Sequence, residues 1–160
     1  MIDILVYLFE NYQPDACPAP TVLAKKLTAA GFEADDITAA LAWLEGLTGG
    51  EQADMSVPAE GSLRVFADVE LERLSVEARG FLAFLEQNGA IDAQLRETII
   101  ERAMALPGNS VSVDRLKVIV LAVIWRRQVA IDALILEELL AEDEDDDESS
   151  SDDTQHILLN

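Results

Sequence analysis

VIVLAVIW, residues 118–125, is eight apolar residues in succession, and its reading decides the fold. Wound as part of a helix from about Ser112 to Arg126, it turns apolar side chains in every direction, so that helix belongs at the centre of a bundle. The run is far shorter than the ~18 residues of a membrane span, and no other apolar run in the chain reaches that length. Around it lie segments that read as covering helices: about Asp68 to Leu74, Ser75 to Asn88, Asp92 to Leu106 and Val129 to Ala141. Gly89 and the Pro107-Gly108 pair supply stops, and Asp92 and Ser112 are expected N-caps. Phe81, Leu82, Phe84 and Leu85 form the expected buried stripe of the second of these. Gly80 beside them costs ~1 kcal/mol relative to Ala, and either close approach of another helix or simple tolerance accounts for it. Trp125 is expected in the core.

The first half carries the same signal more weakly. At 100° per residue, Ile2, Leu5, Leu8, Phe9 and Tyr12 share one side of a helix that Pro14 ends. A second helix is expected from about Thr21 to Ala30, with Val22, Leu23 and Leu27 inward and Gly31 as a left-handed stop. Asp35 or Asp36 can cap the third, and both carboxylates favour its positive end. That helix reads Ile37, Ala40, Leu41 and Leu44 along one stripe, with Trp43 and Leu47 at the stripe's edge and Gly49-Gly50 as terminator. Between Glu51 and Gly61 the pattern dissolves into turn residues, and Ser62 to Phe66 alternates as a short strand would. Helix, helix, tight turn, helix, hairpin is the order of a winged helix-turn-helix. The expected fold is therefore mainly α: a winged helix-turn-helix-like lobe (1–66) packed on a C-terminal helical bundle (67–141), with an acidic disordered tail (142–160).

Charge narrows the function. The chain's 160 residues carry 31 acidic and 11 basic side chains, a formal net charge of −20. Nine of the acids lie between Glu142 and Asp153, where nothing apolar accompanies them, so that segment reads as solvated tail, and the body to residue 141 still carries about −11. Cys17, alone among Pro14, Pro18 and Pro20, has no partner for a disulfide and no cation beside it in sequence to activate it, so it reads as a spectator thiol. His156 is the single histidine, which excludes His-based metal sites and triads within one chain. The amino terminus lacks a basic n-region and a cleavage site, and a cytoplasmic protein is expected.

Several segments together carry a family resemblance: LVYLFENY (5–12), GFEADDITAALAWLEGL (31–47), RVFADVELERLSVEARGFLAFLEQNGAI (64–91), RETIIERAMAL (96–106) and LKVIVLAVIW (116–125). In this order and spacing they resemble the Smg family, small bacterial proteins classed among domains of unknown function. The resemblance spans residues 1–141 and implies a bacterial, cytoplasmic protein, with no catalytic residues or cofactor to carry over. Two departures stand out: Ala67-Asp68 begins a helix where members commonly have a better cap followed by proline, and the acidic tail exceeds the usual family end. The tail is accordingly read as lineage-specific and dispensable for folding.

Three functions compete. DNA binding through the Asp36–Leu47 helix meets an electrostatic obstacle, because no Lys or Arg occurs between Thr28 and Leu63 while seven acids do. Direct nucleic-acid binding is therefore not expected. Catalysis has no legible nucleophile–base pair, phosphate loop or metal cluster, and no cofactor or membrane contact is expected; an enzyme whose site is not legible from sequence is kept as an alternative beside the winged-helix DNA binder. A non-catalytic adaptor that offers an acidic surface to a basic, nucleic-acid-handling protein uses the charge as an asset. The residues expected to meet such a partner are Glu33, Asp35, Asp36 and Glu45, with Trp43 and Leu47 either as an apolar anchor or as packing between the two halves.

Overall fold

A computed structural model describes residues 1–49, 64–130 and 132–140. Among these, eight helices follow in order: α1 (Ile2–Asn11), α2 (Pro20–Ala29), α3 (Ala34–Gly49), α4 (Asp68–Arg73), α5 (Val76–Gln87), α6 (Ala93–Met104), α7 (Val113–Arg127) and α8 (Ala133–Leu140), with a single 3-10 turn at Pro14–Ala16. The mainly helical class is as expected. The expected turn region 51–61, the start of the expected strand at 62–63 and the acidic tail 142–160 lie outside the described residues.

Helix α7 occupies the centre. It packs on α1, α5, α6 and α8, so each of its apolar sides meets a neighbour. Leu116, Ile119, Val120, Ala122 and Val123 are fully buried, at roughly 1.5–3 kcal/mol for each large aliphatic side chain removed from water. These residues join one apolar cluster that runs from α5 and α6 through α7 to Leu139 of α8 and takes in Leu5, Trp43 and Leu47 from the N-terminal half. A smaller cluster, Ile4, Leu8, Leu23, Leu27, Ile37 and Ala40, holds α1, α2 and α3 together. Helix α1 thus contributes Leu5 to one cluster and Ile4 and Leu8 to the other. That explains the burial of Ile4, which falls outside the expected single stripe.

The caps follow the sequence closely. Asp92 accepts the Leu95 N–H at 2.7 Å and Ser112 that of Arg115 at 3.4 Å, while Ser75 accepts that of Ala78 at 3.1 Å. Gly31 (φ +97°) and Gly89 (φ +69°) take the left-handed turns that end α2 and α5. At α4 the cap Ala67 has no side-chain acceptor, and Glu70 compensates by accepting the Ala67 N–H at 2.8 Å.

Five expectations need correction. Helix α3 begins at Ala34, so Asp35 and Asp36 sit inside its first turn and neither caps it. Arg64 to Phe66, expected in a strand with Ser62 and Leu63, form none; the side chains of Arg64 and Phe66 are drawn onto α4, α5 and α6, and no strand is available to pair with among the described residues. Val22 is 45 % exposed, because α2 is covered by α3 on the side of Leu23 and Leu27. Phe84 is 40 % exposed: α5 buries Ala78, Phe81, Leu82 and Leu85, and Phe84 falls past the edge of that stripe. Trp125 is half-buried at the seam between α1 and α7, where its ring meets Phe9 and its Nε1–H donates to the Tyr12 carbonyl at 3.2 Å.

The turn from α6 to α7 is held by an arginine from α4. Arg73 donates to the carbonyls of Met104, Leu106 and Gly108 at 2.8, 2.7 and 2.9 Å, satisfying acceptors that the end of α6 leaves without helical partners. Beside it the Val111 N–H donates to the Arg73 carbonyl at 2.7 Å, and Leu74 and Val111 form an isolated parallel bridge. Arg73→Met, which keeps the apolar stem and removes these donors, should lower stability by about 2 kcal/mol in urea unfolding; an unchanged midpoint would mean that water replaces the guanidinium at no loss.

Candidate interaction surface

The six expected contact residues separate into two groups. Glu33, Asp35 and Asp36 are exposed at the turn into α3, and Glu45 is exposed two turns further along that helix. Asp36 lies 3.3 Å from the amino group of Met1, which ties α3 to the start of α1. Trp43 and Leu47, at 5 % and 4 % exposed, face the other way, into the large cluster. The Trp43 Nε1–H donates to the Arg102 carbonyl at 2.9 Å, so both belong to the join between α3 and α6 and neither is a surface anchor. That join is tight: a Cβ built on Gly46 would overlap the Arg102 guanidinium.

What sequence reasoning missed is how the charges are sorted. Among the described residues, sixteen of nineteen acidic side chains are exposed, against four of eleven basic ones. Most of the cations are turned inward as structural fasteners. Arg64 is the clearest case: its guanidinium grips Glu70 through two bonds of 2.5 and 2.8 Å and Glu97 through two of 3.0 and 2.9 Å. Arg96, 4 % exposed, extends the chain of ion pairs by bonding Glu86 at 2.6 Å and Glu97 at 3.0 Å. Phe66 lies beneath, with the Arg64 and Arg79 guanidinium carbons 4.8 and 5.9 Å from its ring centre. This network fastens the segment that follows residue 63 to α4, α5 and α6. Of the eleven cations, only Lys25, Lys26, Arg115 and Arg126 remain fully on the surface.

The same bonds set the local titration. Hydrogen bonds from Arg64 hold the Glu70 and Glu97 carboxyls below the ordinary glutamate value of 4.5, with Arg96 assisting at Glu97. Burial pushes the Cys17 thiol up, opposed by Arg126, so the thiol stays protonated and unreactive at neutral pH. Among the described residues the carboxylates displaced from their ordinary range, Glu70, Glu77 and Glu97, all move down. No group of three or more potential metal ligands is found among the described residues, and no described helix is long and apolar enough to cross a membrane.

Two outcomes are expected. Replacing Trp43 and Leu47 together by Ala should unfold the protein, since each truncation alone removes about 2–5 kcal/mol of a marginal total; a folded double variant by circular dichroism would return both residues to the interaction surface. Glu97→Gln should cost about 2 kcal/mol at neutral pH. A depressed carboxyl means that the folded state binds fewer protons than the unfolded one, so its contribution is complete above about pH 4.5 and is lost as pH falls through the lower folded value. Urea unfolding at stepped pH should therefore show the gap between parent and variant closing below about pH 4.5; a gap constant with pH would assign the loss to packing.

The chain was compared with known proteins. The family described as "Protein of unknown function (DUF494)" matches residues 1–148, a span that continues past residue 141 into the acidic run. The "Protein Smg homolog" of Aromatoleum aromaticum is 54 % identical over 142 residues, covering 88 % of this chain and 92 % of that one. Those of Bordetella petrii and Leptothrix cholodnii are 50 % and 46 % identical, over 88 % and 87 % of this chain and 94 % and 93 % of their own lengths. No solved structure matches the chain. With a match over nearly the whole sequence and about half of the residues shared across almost the full length of these relatives, the chain belongs to the Smg (DUF494) family.

Proposed function

We propose that this protein is a non-catalytic, cytoplasmic adaptor that presents an acidic surface to a basic protein partner, one of the kind that handles nucleic acid. The observation that carries the reading is the sorting of charge by burial: sixteen of nineteen described acids point to solvent while most of the bases are turned inward. The exposed surface is therefore more acidic than the composition alone implies, and long-range attraction to a basic patch raises the rate of encounter. Glu33 precedes α3, and Asp35, Asp36 and Glu45 lie along it, the helix that a helix-turn-helix-like reading of α1 to α3 would turn toward a partner. Against a duplex these four would meet phosphates and be repelled, and against a basic protein they are complementary.

The test is retention of proteins from bacterial lysate by the immobilised full-length chain, with nuclease treatment throughout, beside a variant carrying Glu33→Gln, Asp35→Asn, Asp36→Asn and Glu45→Gln. A basic protein is expected on the parent in the presence of nuclease, retained about tenfold less by the variant and released as salt rises. Retention through nucleic acid alone, or a mobility shift of duplex DNA by the protein at low salt, would overturn the adaptor reading in favour of a nucleic-acid binder.

A further inference from the structure

Between α5, the first turns of α7 and α8 lies an open groove of about 410 Å³. Phe84 forms much of its α5 wall, 40 % exposed and stacked on Phe81 with ring centres 6.0 Å apart and planes at 21°. Lys117 of α7, 4 % exposed, also lines the groove, with its Nζ 5.9 Å from the centre of the Phe81 ring. Apart from Lys117 and two glutamates the lining is aromatic and aliphatic, from Phe81, Phe84 and Val113.

Gly80 lines this wall, and the structure removes close approach of another helix, one of the two explanations that its sequence position offered. No atom lies within 4 Å of where its Cβ would stand, so no neighbouring helix demands the missing side chain. Nor does the backbone, since Gly80 is not among the positive-φ glycines. Alanine at this position would favour α5 by about 1 kcal/mol. What glycine does here is leave the groove open by the width of a side chain.

Helical spacing extends the apolar band along both walls. Val76, 69 % exposed, precedes Gly80 and Phe84 at intervals of four on α5, and Leu134, 74 % exposed, precedes the groove residue Glu138 by four on α8. The lips carry the opposite chemistry: Glu77 and Glu138 line the groove and are exposed. An apolar trough between two helices with acidic lips is complementary to a helix whose apolar stripe is flanked by lysine or arginine.

We propose that this groove receives a basic amphipathic helix of the protein partner, its apolar stripe seated over Gly80 and Phe84 and its cationic side chains meeting Glu77 and Glu138. The proposal rests on the adaptor reading and specifies where on the acidic surface recognition becomes stereospecific. Electrostatic attraction gathers a basic partner over a broad area, and the groove selects the partner whose apolar residues recur at helical spacing.

The probe is a synthetic leucine–lysine peptide of about four helical turns with leucines at i, i+3, i+4 and i+7. Its control has the same composition and charge in strictly alternating order. Binding to the full-length protein is followed by fluorescence anisotropy of the labelled peptide and by backbone amide shifts. The helical peptide should move the amides of Gly80, Phe84 and Glu138 and bind at least tenfold more tightly than the alternating one. Gly80→Leu, whose Cβ meets no neighbouring atom and which improves helix propensity, should melt no lower than the parent and lose at least tenfold in affinity. Phe84→Ser, at an exposed position, is the second blocking variant and should lose as much, and Glu77→Gln with Glu138→Gln should weaken binding several-fold at low salt. Equal binding of the two peptides, with Gly80→Leu and Phe84→Ser indifferent, would overturn the groove and leave the acidic surface standing. Failure of both peptides to bind at low salt would overturn the groove and the adaptor reading together.

Discussion

A helix that is apolar on all sides cannot be left uncovered, and this requirement at α7 organises the rest of the structure. One neighbour covers roughly a third of a helix surface, so burying Leu116, Ile119, Val120, Ala122 and Val123 together requires contact from several directions. α1, α5, α6 and α8 supply them. Because α1 comes from the far end of the sequence, the N-terminal three helices are attached to the bundle through the core and not by a linker alone. Trp43 and Leu47 of α3 enter the same cluster from the side, which makes the second attachment.

Polar cohesion follows a different rule. A chain with few cations and many anions has two places to put the cations, and here they go inside, where a guanidinium fork satisfies several acceptors at once. Arg73 takes three carbonyls, Arg64 the carboxylates of Glu70 and Glu97, and Arg96 those of Glu86 and, again, Glu97. Arg73 and Arg64 hold elements that are distant in sequence, Arg96 joins α6 to the preceding α5, and each withdraws a positive charge from the surface. Stability and the acidic exterior therefore have one origin: the arginines that bind the helices together are the ones that no longer offset the exposed carboxylates.

How much of this was legible depended on the range of the interaction. Local signals were read well: the caps Asp92 and Ser112, the glycine stops at 31 and 89, and the central position of α7 all depend on residues within a turn or two of one another. Positions at the edge of an apolar stripe were ambiguous, because a shift of one residue rotates a side chain by 100° and the neighbouring helix decides which edge is covered. Trp43 went inward at such an edge, while Phe84 and Val22 went outward. Long-range pairing left no local trace. The Arg64 bonds to Glu70 and Glu97 span six and thirty-three residues, and the alternation of Arg64, Val65 and Phe66 that resembles a strand is overridden by side chains bound elsewhere. Of the expected contact residues the acidic four were placed on the surface by solvation alone, whereas the two apolar ones depended on a helix that the sequence does not align.

The seam between α1 and α7 also bears on how the chain is made. The Tyr12 carbonyl and the Trp125 indole that close it are separated by 113 residues. At bacterial elongation rates of 5–20 residues per second, α1 waits about 6 to 20 seconds after its own synthesis before its bundle-side neighbour leaves the ribosome. During that interval Ile4 and Leu8 have their own cluster with α2 and α3 to enter, while the cluster of Leu5 and Phe9 still lacks its larger part, on α5 to α8. The side of α1 that meets Trp125 thus stays without its partner until translation is nearly finished.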